Sequence, residues 1–165
     1  MMRRCTHCNE LKPISEFGKH KTCKDGFNTQ CKACNRARTK AYGKTPDGIY
    51  SRLNARANFY PNRTISISRR DFVNWYNEQE KVCVYCGIKE EDLGKVSDGF
   101  NNKTSFLSID CKENEKRYAL GNLVLACRRC NSTKSDILTF EEMMYVGQNF
   151  IKPKVEKQLE NHLSM

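Results

Sequence analysis

The sequence is poor in apolar residues and has no long run of them. Hydrophobic residues make up 38% of 165 and the mean hydropathy is -0.75, so there is little material for a large conventional core. Small subdomains built from such a chain need staples. No apolar stretch approaches the roughly 20 residues of a spanning helix, which argues against a helical channel or transporter. The start, Met1-Met2-Arg3-Arg4-Cys5, is basic with no apolar segment behind it, so no signal peptide is expected and the chain reads as soluble and intracellular. Low-complexity tracts are also missing. Acidic residues are outnumbered, 19 against 29 Lys and Arg, for a formal charge of +10. The basic excess is concentrated toward the N-terminal half. A polyanion is the partner this charge favours, although a generic basic surface has the same composition.

Cysteine is what the chain has in excess. Ten are present, and eight fall into four Cys-x-x-Cys pairs: Cys5 and Cys8, Cys31 and Cys34, Cys83 and Cys86, Cys127 and Cys130. In a reducing compartment paired cysteines indicate metal rather than disulfides. Two pairs together can surround one tetrahedral zinc, and a closed site of four thiolates has no open position for chemistry. Two structural zinc ions are therefore expected. Cys23 is left over and could displace one ligand of the first site, although the paired spacing favours the assignment above. Twenty-two residues separate the pairs of the first site and forty those of the second, so the two are not read as a repeat.

The expected fold class is a small zinc-stabilised α+β protein. Residues 1–44 form an N-terminal zinc knuckle or ribbon with a Lys24-Asp25-Gly26 hairpin turn, followed by a basic helix from Asn35 to Tyr42. Arg36, Arg38 and Lys40 on that helix could lie along phosphates or simply face solvent. Gly43 to Gly48, with Pro46, is a candidate linker, and residues 45–80 hold linking helices. One starts near Ile49 and ends before Pro61; another starts at Ser68 with Asp71 three residues on, a capping-box pattern. Thr64 to Ile67 alternates briefly. Phe72, Trp75 and Tyr76 recur at helical spacing and read as core. Residues 81–152 hold strands at Phe106–Ile109 and Leu123–Ala126, a helix after Cys130, and a further helix opened by a Thr139 to Glu142 capping box and ended with the help of Pro153. Residues 153–165 read as a charged, frayed tail.

Strand, strand and helix, with Asp110 ending the first strand and Asn131 opening the helix, form a ββα-metal pattern. The string Cys83-x-x-Cys86-Gly87, Ser108-Ile109-Asp110, Tyr118, Asn122-Leu123-Val124, Cys127-x-x-Cys130-Asn131 and Lys134 resembles the HNH endonucleases with a zinc-stapled ββα-metal motif. In layout it is similar to small two-zinc HNH restriction enzymes of the PacI kind. That resemblance implies a metal-dependent endonuclease acting on double-stranded DNA, in a bacterial or phage-infected cytoplasm. Its setting could be restriction, homing or phage DNA processing, and its state monomeric or homodimeric. Asp110 and Asn131 would hold one Mg²⁺ or Mn²⁺, oxygen donors suiting a hard cation, and Asn122 would brace the loop between strands.

One position departs from the family. The general base that activates water is usually a histidine directly after the aspartate, and here Cys111 stands there. A thiolate is a soft ligand and a poor substitute; Tyr118, His20 or a metal-bound water are the alternatives. Arg128, Arg129 and Lys134 would meet a phosphate beside the metal. Taken singly, Asp110 could cap a turn and the two asparagines satisfy backbone groups. Their joint placement between metal knuckles favours chemistry. The alternative is a non-catalytic zinc-stabilised DNA-binding protein derived from such a nuclease; a thiol redox module is the weakest reading.

Overall fold

The computed structural model describes residues 1–59, 65–97 and 105–163, with the side chains of all but 58, 59 and 163. It divides into two compact units, Met1–Ile49 and Tyr50–Met165, and the division falls within a helix of the expected 45–80 segment.

In the first unit β1 (Met2–Arg4) pairs antiparallel with β2 (Leu11–Pro13), and the Cys5 to Cys8 knuckle is the turn between them. A second hairpin pairs β3 (Phe17–Lys19) with β4 (Phe27–Cys31) and leads directly into α1 (Lys32–Tyr42). Gly26 closes the expected turn with φ of 76°, a left-handed value that glycine reaches without steric cost. The core is the knuckle itself: Cys5, Phe17 and Cys31 are buried, with Cys8, Ile14, Phe27 and Cys34 packed around them. A unit of this size buries too little to stand on apolar contacts alone, which is why cysteines occupy its centre.

Pro46, the expected breaker, instead lies at the first position of α2 (Pro46–Phe59), where its missing N–H costs nothing. Pro61 and Thr64 lie outside the described residues. Ile65 forms only a single bridge, with Tyr118, rather than a strand. In the second unit α3 (Arg69–Glu78) is capped by Ser68, whose side chain accepts from the Asp71 amide. Its apolar stripe packs Phe72 against Tyr50 and Tyr76, ring centroids 5.6 and 6.0 Å apart.

The second unit's hairpin joins β5 (Ser108–Cys111) to β6 (Leu123–Ala126), with Asp110 opposite Val124. β5 starts two residues later than the sequence suggests. α4 (Arg128–Lys134) follows at once, so the helix starts before Cys130 rather than after it. α5 (Phe140–Val146) opens on the full Thr139/Glu142 capping box. A wide π turn, Gly147–Ile151, then leads into α6 (Lys152–Leu163), so the expected frayed tail is helical through Leu163. Pro153 does not end the helix because it lies in the first turn of α6, directly after the π turn, where an absent N–H is tolerated. Gly147 is required at the junction. A Cβ there would sit 2.5 Å from the Tyr85 carbonyl oxygen, which also accepts from Gln148 Nε2 at 2.8 Å.

Candidate functional site

The cysteine pairs converge as two groups of four, with all sulfurs of a group within 4.8 Å of one another. Cys5 and Cys34 Sγ are 3.8 Å apart, as are Cys86 and Cys127 Sγ. That separation is far too long for a disulfide. It is the edge of a tetrahedron with metal–sulfur bonds of about 2.3 Å, which is the shape zinc takes. Backbone amides polarise the sulfurs further: Cys31 N–H donates to Cys5 Sγ at 3.3 Å and Cys130 N–H to Cys127 Sγ at 3.4 Å. Amides of Cys31 and Cys8 pull the Cys5 thiol down to about 6, while its shared proton with Cys31 and burial push Cys34 up to about 12. Some sulfurs of the group thus favour the thiolate while others hold their protons, and a bound cation would stabilise all four as thiolates. Both tetrads could hold structural zinc.

Above the second tetrad, pleating places Ser108 and Asp110 on one face of β5. Helical spacing places Asn131 and Lys134 on one face of α4. The two faces meet. Asn131 Nδ2 donates to Ser108 Oγ at 2.8 Å, and Ser108 Oγ in turn donates to the Ala126 carbonyl at 2.8 Å. The serine proton is thereby committed, so the serine must accept from the amide nitrogen and the orientation of the Asn131 amide is settled. That leaves Oδ1 as the other end of the amide, and among the described residues it accepts no hydrogen bond.

Asp110 is held from three directions. Tyr85 Oη donates to Oδ2 at 2.7 Å, the Cys111 amide donates to Oδ1 at 2.9 Å, and Lys134 Nζ lies 3.9 Å from Oδ1. Burial pushes the carboxyl above its usual range, against the tyrosine hydroxyl and the Lys134 charge, which favour the ionised form. Burial and the adjacent Asp110 push the Tyr85 hydroxyl up strongly, so Tyr85 stays a donor. Each carboxylate oxygen has two acceptor sites, and each keeps one beyond these backbone and tyrosine bonds. A carboxylate and an amide oxygen on facing elements are donors that fit a hard divalent cation.

Asn122 is buried and spans the β5–β6 loop: its Oδ1 accepts from the Glu113 amide at 2.9 Å, and its Nδ2 donates to the Glu113 and Arg117 carbonyls at 2.8 and 2.7 Å. Cys111 is buried, and strand pleating turns it to the face opposite Asp110. Tyr118 is half-buried, and its carbonyl accepts from Ser66 N–H at 3.1 Å. His20 belongs to the first unit, where its Nδ1 lies 3.0 Å from Thr22 Oγ1 and 3.5 Å from Cys23 Sγ. Cys23 is outside the first tetrad.

The basic residues separate. Arg36, Arg38 and Lys40 are exposed on α1. Arg128 is half-buried, and Arg129 donates to the Ser97 carbonyl. Lys134, expected to meet a phosphate beside the metal, is wholly buried between Asp110 and Asn114, whose Oδ1 accepts from Nζ at 3.2 Å. Tyr85 and Asn114 are not among the expected site residues. Tyr85 could be suspected from its place inside the Cys83 to Cys86 knuckle, since Val84 N–H bonds to Leu125 O at 2.9 Å and so fixes the knuckle on the hairpin. Nothing local marks Asn114.

No protein-family model matches the sequence, and no curated protein does. Among solved structures, the rare-cutting HNH restriction endonuclease PacI, described with its perturbation of DNA, aligns with 93% of this chain and 95% of its own, at a TM-score of 0.55 and 23% identity. Mixed helix and strand around two four-cysteine groups, aligned over nearly its whole length, the chain has the fold of an HNH restriction endonuclease.

Proposed function

We propose that the protein is a metal-dependent DNA endonuclease of the HNH type that hydrolyses phosphodiester bonds in double-stranded DNA. The observation that carries this reading is the Asn131 amide: Ser108 engages its nitrogen, which leaves an oxygen without a hydrogen bond on the helix that meets the Asp110 strand. Asp110 and Asn131 would hold Mg²⁺ or Mn²⁺. Bound there, such an ion supplies polarisation of the scissile phosphate and offsets charge on the leaving oxygen.

The chain's own residues do the rest. Tyr85 and the Cys111 amide hold the Asp110 carboxylate, so its direction is set before substrate arrives. Asn122 ties the loop that carries Tyr118 to the hairpin. Cys111 occupies the position of the usual histidine, and Tyr118 is one candidate proton acceptor in its place. Arg36, Arg38 and Lys40 supply exposed positive charge for backbone phosphates. The fold likeness to a restriction endonuclease supports DNA as the substrate.

Plasmid incubated with the zinc-loaded protein and Mg²⁺ or Mn²⁺ should become nicked or linear, and Asp110→Ala should abolish the product. Persistent cleavage by Asp110→Ala defeats the reading. A second reading, a non-catalytic DNA-binding protein, draws support from the burial of Cys111 and from Lys134 already compensating Asp110. It predicts salt-sensitive DNA binding with no cleavage under any divalent ion.

A further inference from the structure

Lys134 is the least expected residue of the seam. It is 0% exposed, and a buried ammonium is tolerated only with partners. The partners here are Asp110 Oδ1 at 3.9 Å and Asn114 Oδ1 at 3.2 Å. The closer contact is the neutral amide, on the β5–β6 loop, and the longer one is the carboxylate. The ammonium is therefore bridged between two acceptors, one charged and one neutral. Helical spacing also puts Lys134 one turn beyond Asn131, on the face that carries the bare Oδ1.

We propose that Lys134 is a tethered counter-ion, which neutralises Asp110 when no divalent cation is bound and shifts toward Asn114 when one binds, so that it sets the affinity of the site. The inference rests on the endonuclease reading of Asp110 and Asn131. Lys134 here is a positioning residue acting through Asp110, and it opposes metal binding by like-charge repulsion at ion-pair distance. Asn114 has the opposite effect, because it offers the displaced ammonium a place to go. A purely structural lysine would give no such opposed pair of effects.

Mn²⁺ binding to the zinc-loaded full chain, read by the free-ion electron paramagnetic resonance signal at neutral pH, tests this. Lys134→Met should tighten Mn²⁺ binding by about tenfold or more, as expected for deleting one charge near a partly buried carboxylate. Asn114→Ala should weaken it, and this loop variant keeps the test decisive if Lys134→Met does not fold. Asp110→Ala should abolish binding. Lys134→Met that folds and binds Mn²⁺ no more tightly than the unmodified chain, or Asn114→Ala that binds as tightly, overturns the proposal while leaving the endonuclease reading intact. Binding that survives in Asp110→Ala, or is absent from every variant, overturns both.

Discussion

The two four-cysteine units are built alike, and they differ in what faces the asparagine after the last cysteine. In each, the knuckle closes through a left-handed residue just after the second cysteine: Asn9 at φ 58° and Gly87 at φ 73°. The turns share their bonds, Asn9 N–H to Cys5 O at 3.0 Å and Gly87 N–H to Cys83 O at 2.9 Å. Each hairpin runs into a cysteine that is also the N-cap of the next helix. Cys31 has φ, ψ of -67°, 159° and Cys127 of -67°, 156°. Each helix then continues to a second cysteine followed by asparagine, with a basic residue three positions on. Yet Asn35 has both ends of its amide engaged, donating to Gln30 O at 3.3 Å and accepting from Arg38 at 3.2 Å, whereas Asn131 leaves Oδ1 open. The metal knuckle delivers an asparagine to the same place twice. What makes one of them a candidate ligand is the strand opposite, which carries Ser108 and Asp110 in the second unit only.

The largest effects should come from the metal that both units share in design. Cys34→Ala and Cys130→Ala should each lower bound zinc from two ions per chain to one by elemental analysis. The unit affected should lose its fold, since structural zinc contributes about 10–16 kcal/mol to such modules. Near-ultraviolet circular dichroism checks this, and an undiminished spectrum in either variant would break the parallel. Next comes the contrast between the asparagines. Asn131→Ala should lower the rate of plasmid cleavage by about 10²–10³-fold, the usual effect of removing one group that stabilises the transition state. Asn35→Ala should leave it unchanged. Equal losses would mean that the open Oδ1 has no special role.

Several features of the comparison are legible in the sequence alone. Cysteine spacing is enough to assemble both tetrads, because ligands must arrive in pairs from a knuckle and a helix start. Ser68 and Thr139 cap helices through bonds made within four residues, so local sequence suffices for them. The kinship of the two units is not legible. Their pairs are separated by different lengths, and it is the backbone, in the turns after Cys8 and Cys86 and at the caps Cys31 and Cys127, that reveals the common plan. Lys134 escapes a local reading for a related reason. Its neighbours Ser132, Thr133 and Ser135 read as surface, while its burial comes from Asp110 and Asn114, residues twenty and more positions away. The helix continuing past Pro153 is equally hidden, because the π turn before it leaves no mark in hydrophobic spacing.

Smaller effects sharpen the comparison further. Ser108→Ala removes the residue that orients Asn131 and has no counterpart bond in the first unit; it should weaken Mn²⁺ binding by about 10–100-fold, the range for a residue that orients a metal ligand. Tyr85→Phe removes the hydroxyl from Asp110 and should cost about 1.5 kcal/mol in urea unfolding, as for a hydrogen bond to a charged group. An equal cost in a chain already carrying Asp110→Ala would show that the hydroxyl acts elsewhere, which a double-mutant cycle resolves.

The difference between the units is probed at its root by anomalous diffraction from crystals of the zinc-loaded protein soaked in Mn²⁺. A manganese peak should be bonded to an Asp110 carboxylate oxygen and to Asn131 Oδ1, at about 2.1 Å as for hard octahedral cations, with none beside Asn35. A manganese ion bound away from Asn131, or an Asn131 amide turned with its nitrogen outward, would be incompatible with a metal site built on that open oxygen.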